Sequence, residues 1–456
     1  LEPAFHVALG RRGVERLNVP KAGRTGLDPA THDNGNAQAD MRRLTLSFAV
    51  LYFVQGLGDP TDGLSTQPVQ AMLKSWHDRP ETIGSFLALA SIPWSLKPLY
   101  GLLSDFVPIY GRRRTSYLLL AGLLTAGGYL LLAVFPPPEG AHGRLLVGLL
   151  LPAMGVALAD VVVDALMVEQ GQPLGLTGRL QAVQWASIYA AAMLAGEVGG
   201  HWSASGRYAM SFWVSAGVGL AMLAICARGV REPPTPIALE TFSGKWTTLR
   251  EALGTPGVPL VGVLVFLFEF NPFSSTVLYL HMTSGLGLSE QAYGRTRSLV
   301  AVASIVAAVA YGTYCRRVPL RVLLHLAIGL GVAASLVYLG LIGPRSAMIV
   351  SLLHGFTYMT SVLVLLDLAA RGCPPTAAGT LFAVVMSLSN LGSSLAMAAG
   401  SHLYGYALGH WGERAAFDML LAIGAATTAL CWGLVPWLPS HLLGRAEAGA
   451  SGESGR

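Results

Sequence analysis

Apolar runs of about twenty residues recur along this chain from residue 44 to residue 438, and that recurrence limits the fold more than any other feature. About 20 such residues are what an α-helix needs to cross the hydrocarbon of a bilayer. Inside lipid every backbone polar group must be satisfied within the chain, which leaves helices or closed barrels. Twelve segments meet the criterion, at 44–72, 82–105, 115–135, 144–168, 178–202, 209–229, 257–282, 289–314, 319–341, 346–370, 376–408 and 415–438. The composition agrees. Of 456 residues, 53% are hydrophobic and 12% charged, with a mean hydropathy of +0.53, which is too apolar for an ordinary soluble protein. The expected class is an all-α polytopic membrane protein.

One long polar connection, Arg231 to Thr255 with Pro233, Pro234 and Pro236, divides the segments into two sets of six. The expected organisation is an N-terminal bundle over 41–230, a linker over 231–256, a C-terminal bundle over 257–439 and a tail over 440–456. Residues 1–40 hold neither a run of membrane length nor a signal-peptide core, and read as a disordered extension ahead of Met41-Arg42-Arg43.

Basic residues set the expected orientation. With the N-terminus inside, the inner segments carry Arg42, Arg43, Arg112, Arg113, Arg114, Arg179, Arg228, Arg231, Lys245, Arg250, Arg316, Arg317, Arg321, Arg371 and Arg445. The outer ones carry only Lys74, Arg79, Arg144, Arg207, Arg345 and Arg414. The positive-inside rule therefore puts both termini in the cytoplasm. Because these charges are spread over short loops, the net charge of +5 does not indicate a nucleic-acid partner. The four cysteines are scattered, with no C-x-x-C, so neither a metal site nor a disulfide framework is expected. The phosphate-binding G-x-x-x-x-G-K-[ST], the zinc motif H-E-x-x-H and the nucleophile elbow G-x-S-x-G are absent. No cofactor and no enzymatic activity are expected, and transport would draw on a gradient.

The two halves repeat one detail. Arg112-Arg113-Arg114 follows the second segment, and Arg316-Arg317 follows the eighth, its counterpart in the second half. Paired halves of this kind suit an alternating-access transporter. The stretch Gly101-Leu-Leu-Ser-Asp105…Gly111-Arg112-Arg113-Arg114 resembles the signature between helices two and three of the major facilitator superfamily, with a longer gap before Gly111. The longer form, with Pro93-Trp94, Lys97-Pro98, Pro108 and Tyr117, resembles the folate–biopterin transporter family. Further stretches agree: Tyr52-Phe53-Val54-Gln55-Gly56, Asp160-Val-Val-Val-Asp164-Ala-Leu-Met-Val-Glu169, Gly178-Arg-Leu-Gln181 and Gly379-Thr380…Ser387-Leu-Ser-Asn390. Where that family carries an acidic residue before the Gly-Thr pair, this chain has Ala378.

The resemblance implies a twelve-helix major facilitator fold and a secondary transporter of folate- or pterin-like organic anions, monomeric, with membrane lipid as its surroundings. Its expected location is a bacterial cytoplasmic membrane. A carrier of a different small organic solute and a transport-inactive membrane sensor on the same fold are the alternatives.

An ionisable residue at membrane depth costs at least about 2.5–3.5 kcal/mol, so each is a functional candidate. Lys97 lies roughly 12 Å above the inner end of the second helix at 1.5 Å per residue. Asp160 and Asp164, on one face of the fourth helix by their i,i+4 spacing, fall at similar depth. They form either a charge network rearranged by a proton or substrate, or a static ion pair. Glu269, roughly 18 Å into the seventh helix, stands before Asn271-Pro272, where proline must interrupt the helix. It is a candidate proton site, and its carboxylate is suited to the two parallel donors of a pterin's amino–oxo edge. Arg295 and Arg297 are candidates for the carboxylates of a folate tail, or for snorkelling. Trp94, Phe270, Trp185, Tyr189 and Phe273 offer stacking surfaces. Gly101, Asp105, Arg112, Arg113 and Arg114 are expected to act as a conformational gate without touching cargo.

Overall fold

The computed structural model describes residues 30–171, 174, 176–229, 254, 257–315, 317–373 and 378–443. Residues 1–29, nearly all of the 231–256 linker and the tail from 444 lie outside that set. Helix α1 begins at Ala30, inside the stretch expected to precede the fold.

Helices α1 (Ala30–Gly58) and α2 (Thr66–Ser75) form the first span, and α3 (Pro80–Ser95) and α4 (Lys97–Phe106) the second. The third to sixth are α5 (Thr115–Val134), α6 (His142–Gly171), α7 (Thr177–Ala204) and α8 (Tyr208–Gly229). In the second half, α9 (Val258–Glu269), α10 (Ser275–Leu280) and a π-helical turn (His281–Gly285) make the seventh span. The remaining spans are α11 (Glu290–Tyr314), α12 (Leu320–Leu336), α13 (Pro344–Gly372), α14 (Ala378–Trp411) and α15 (Glu413–Leu430).

Nine of these rods, among the described residues, are long and apolar enough to cross a membrane by length and composition. The first, fifth and seventh spans fall short, each for a visible reason. The seventh is cut at Asn271–Pro272 into pieces too short to cross alone. The fifth carries Gln181, Gln184 and Glu197. The first breaks after Gly58, where the Asp59 carboxylate accepts from the Thr61 N–H (2.8 Å) and hydroxyl (2.7 Å), an Asx-turn that replaces helical bonding. With these three, the order of elements accommodates two sets of six.

The second span departs from the single helix expected over 82–105. Pro93 lies near the end of α3 and Pro98 near the start of α4. Each removes an amide donor and restricts the residue before it, and the chain steps at Leu96 between the two helices.

The face carrying both ends of the described chain is termed terminal, and the opposite one distal. Towards the distal face the halves share one core: Leu73, Ile83, Phe86 and Tyr129 pack with Val277, Tyr279, Tyr404 and Phe417. Towards the terminal face each half has its own, around Phe48, Tyr52, Leu118 and Val162 in one and Val261, Leu264, Leu324 and Leu368 in the other. The seams are α7 against α11 and α3 against α14. Glycine allows this closeness: a Cβ at Gly294 would strike the Gly196 carbonyl, and one at Gly84 would strike Ser401. The distal side is therefore closed and the terminal side divided.

Candidate functional site

Lys97 is the first residue of α4, at the positive end of a helix dipole where a cation is disfavoured. Its stabilising partner comes from α6: the Lys97 ammonium donates to Asp160 Oδ2 at 2.6 Å. The ammonium also lies 4.6 Å from the centre of the Trp94 ring, a cation–π contact. Asp160 Oδ1 accepts from Gln55 Nε2 at 2.6 Å. One turn along α6, Asp164 Oδ1 accepts from the Tyr52 hydroxyl (2.7 Å) and Gln184 Nε2 (2.9 Å), and Gln181 Nε2 donates to Gln184 Oε1 (2.6 Å). The network joins spans one, two, four and five, and it holds two carboxylates against one ammonium. Asp164 is left with neutral donors.

In the other half, Glu269 ends α9. Its Oε2 accepts from the Tyr358 hydroxyl at 3.3 Å, a long bond to a neutral donor. Tyr358 stacks on His354, with ring planes 7° apart. Phe270 stacks on Phe266 at 5.9 Å. The non-helical link that follows is fixed rather than loose. Asn271 Oδ1 accepts from Phe273 N (3.0 Å), its amide donates to Ser335 Oγ (2.9 Å), and Ser274 caps α10. Glycines clasp it: a Cβ at Gly400 would collide with the Pro272 carbonyl, one at Gly424 with Asn271 Oδ1. At the seam near these residues, Trp185 and Tyr189 of α7 stack at 5.9 Å and pack with Ala307, Ala308 and Met359 of the other half.

Arg295 and Arg297 lie near the distal end of α11. The carboxylates they meet are the protein's own, across the halves: Arg297 Nη2 lies 3.2 Å from Asp62 Oδ1, and Arg295 Nε 3.6 Å from Glu197 Oε1. A third pair, missed in the sequence, is Lys74 with Glu290 at 3.1 Å. Glu290 also accepts from the Tyr279 hydroxyl (2.9 Å) and, through its backbone carbonyl, from Gln67 Nε2 (2.7 Å). Glu290 follows the N-cap Ser289, so in sequence it reads as an ordinary first-turn acid. The three pairs lie at the distal face, where the common core lies.

The expected gate residues cluster at the terminal face inside the first half. Arg114 Nη2 contacts Asp105 Oδ1 (2.8 Å) and Glu169 Oε1 (2.6 Å), while Nη1 donates to Ser104 Oγ (2.9 Å). Burial disfavours the Arg114 charge, but the bond it donates to Glu169 and the attraction of Asp105 outweigh it and raise its pKa above the ordinary value. Arg112 is exposed and Arg113 half-buried. A Cβ at Gly101 would meet Val161 at 3.6 Å, ordinary contact, so nothing requires a glycine there in this conformation. Tyr52 and Gln55 fall in the quoted Tyr52–Gly56 stretch, yet only the folded chain shows which carboxylates they serve. Gln184, Tyr358 and His354 carried no signal beyond being polar groups in apolar helices. No group of three or more metal-ligating side chains occurs among the described residues.

Residues 55–449 match the BT1 family. A folate-biopterin transporter of Synechocystis sp. is 30% identical over 432 residues, covering 89% of this chain and 82% of that one. A probable folate-biopterin transporter 4 of Arabidopsis thaliana is 25% identical over 390 residues, covering 69% and 79%. Among solved structures, a D-xylose-proton symporter has a TM-score of 0.67 at 14% identity, over 88% of this chain and 98% of that one. A nucleoside transporter has 0.67 at 11%, over 87% and 100%. At such identities the likeness carries the fold alone, and that fold is the one of major facilitator superfamily transporters.

Proposed function

This chain belongs to the BT1 family and is a membrane transporter rather than an enzyme; we propose that it moves folate- or pterin-like organic anions by alternating access, coupled to protons. The observation that carries the coupling is the pair Asp164 and Glu269. Each is a carboxylate at membrane depth, one per half, whose described hydrogen-bond partners are neutral. An ionised carboxylate there costs several kcal/mol without a cation, so a proton stabilises either site. The relatives named as folate-biopterin transporters supply the cargo class.

The charges suggest how proton and anion travel together. With both aspartates ionised, Lys97 is committed to Asp160 at 2.6 Å. A proton arriving at the Asp160–Asp164 pair, which share one helical face, weakens that hold. The ammonium is then available to an anionic cargo. In the other half, Glu269 offers two acceptor oxygens to parallel N–H donors, beside the rings of Tyr358 and Phe270. Arg295 and Arg297 become available to a carboxylate tail only when the distal pairs open. Loading would take place from the divided terminal side, and release on the other side requires the three distal ion pairs and the common core to separate. Under the positive-inside reading, the terminal side faces the cytoplasm.

Ala378, in place of the family's acidic residue, favours a second reading in which the cargo is a different small organic solute. Uptake of labelled folate, biopterin and unrelated anions into proteoliposomes, with and without an imposed pH gradient, separates the two. Accumulation of folate or pterin driven by the gradient supports the first; indifference to both compounds removes it.

A further inference from the structure

The turn between the second and third spans holds a residue that transport chemistry leaves unused. Tyr110 has φ 51° and Gly111 φ 73°, consecutive left-handed residues of a tight hairpin turn. The Arg112 N–H closes it on the Ile109 carbonyl at 3.1 Å. Glycine takes that conformation freely, whereas a tyrosine is strained there. The turn does not relax because its flanks are tied: Ser116 Oγ donates to Ile109 O (2.7 Å), and the Tyr117 hydroxyl to Val107 O (2.8 Å) and Leu103 O (2.9 Å). Tyr110 is also 98% exposed, so no packing of its side chain within the chain offsets the backbone strain.

Its position indicates what does. Leu99, Leu103 and Val107 are exposed at four-residue intervals along α4 and just past its end, an apolar row that leads to Tyr110. In the other half, exposed Trp432 and Trp437 stand at the terminal end of the last span. Tyrosine and tryptophan collect at the headgroup level, where the ring is half dry and its polar tip wet. Arg112, exposed and two residues away, adds a planar cation suited to a phosphate.

We propose that Tyr110 and Arg112 form a contact site for an anionic phospholipid at the terminal face, with the ring in the headgroup layer and the guanidinium on the phosphate. The site stands whether or not the cargo is a folate. Arg114, four residues on, is held by Asp105 and Glu169, so the bound lipid and the ion cluster of the first half share one short loop.

The test uses the full-length protein in nanodiscs of phosphatidylcholine, with and without phosphatidylglycerol. The native Cys226, Cys315, Cys373 and Cys431 are buried, so a fluorophore on Tyr110→Cys reports one place. Quenching by lipids carrying a nitroxide in the upper acyl chain is expected in both bilayers. For the unlabelled protein, native mass spectrometry should show phosphatidylglycerol retained over phosphatidylcholine, and Arg112→Gln should lower that preference about fivefold, the effect of one basic residue at an anionic surface. A label that stays unquenched, or a lipid preference that Arg112→Gln leaves unchanged, overturns the proposal.

Discussion

Replacing Glu290 with glutamine removes one charge from the distal seam and leaves the shape intact. The Lys74–Glu290 pair is 3.1 Å long, with the side chains 31% and 15% exposed. Two unit charges about 4 Å apart interact by about 4 kcal/mol at an effective dielectric near 20. Exposure of Lys74 to water screens much of that, and exposed pairs contribute only about 0.2–1 kcal/mol. The Tyr279 hydroxyl still finds an acceptor in the amide, and the bond from Gln67 to the Glu290 backbone carbonyl is untouched. A net loss of about 1–2 kcal/mol follows, which moves an open–closed equilibrium of the distal face by roughly 5- to 30-fold. Spin labels on Glu139 and Ile342, exposed in distal loops of opposite halves, read that equilibrium as an inter-label distance in proteoliposomes. The Glu290→Gln protein should gain a longer-distance population by that factor. Lys74→Gln should do the same, and the double variant should add little to either. Unchanged distance distributions in all three proteins would refute the reasoning, because the pair would then contribute nothing to closure.

Asp164→Asn should abolish the pH-gradient stimulation of uptake while leaving exchange of labelled for unlabelled cargo intact, as compared in the same proteoliposomes. Glu269→Gln should weaken folate binding by roughly 10- to 150-fold, the loss of about 1.5–3 kcal/mol for a charged hydrogen bond, measured by titration of the purified protein. Lys97→Met alone should lower the melting temperature in detergent by leaving Asp160 unpaired, and adding Asp160→Leu should recover most of the loss. The pKa of Arg114 is raised on folding, so its stabilising contribution is fully present below the pKa of a free guanidinium. It would fade only as the pH rises through the higher folded value. Arg114→Gln should therefore cost thermal stability equally at pH 6 and pH 8.

How far the sequence could be read depended on whether the relevant physics was local. The apolar runs gave the spans because membrane length is a one-dimensional criterion. Lys97 and the aspartates met because depth along antiparallel helices can be counted at a fixed rise per residue. That count stops at faces and partners. The step at Leu96 makes Lys97 a helix-terminal residue, which a continuous second helix would not have shown. Glu290 looked like a capping acid because its cross-half partners, Lys74 and Gln67, are more than two hundred residues away in sequence. Arg295 and Arg297 stand out in the sequence as basic residues within an apolar helix, yet their partners Glu197 and Asp62 belong to the other bundle. Information of that kind resides in how the halves meet. The Asn271–Pro272 break could be foreseen from proline chemistry, whereas its clasp by Gly400 and Gly424 depends on two later spans.

The central claim is that this transporter couples the movement of a folate- or pterin-like anion to protons through carboxylates held by neutral partners. The direct measurement is the steady-state level of labelled folate in proteoliposomes under an imposed proton gradient, before and after adding a protonophore. Proton coupling requires accumulation above the external concentration that collapses to equilibrium with the protonophore and is absent from the Asp164→Asn protein. Folate entry that only equilibrates, or accumulation that survives the protonophore and the substitution, would contradict it.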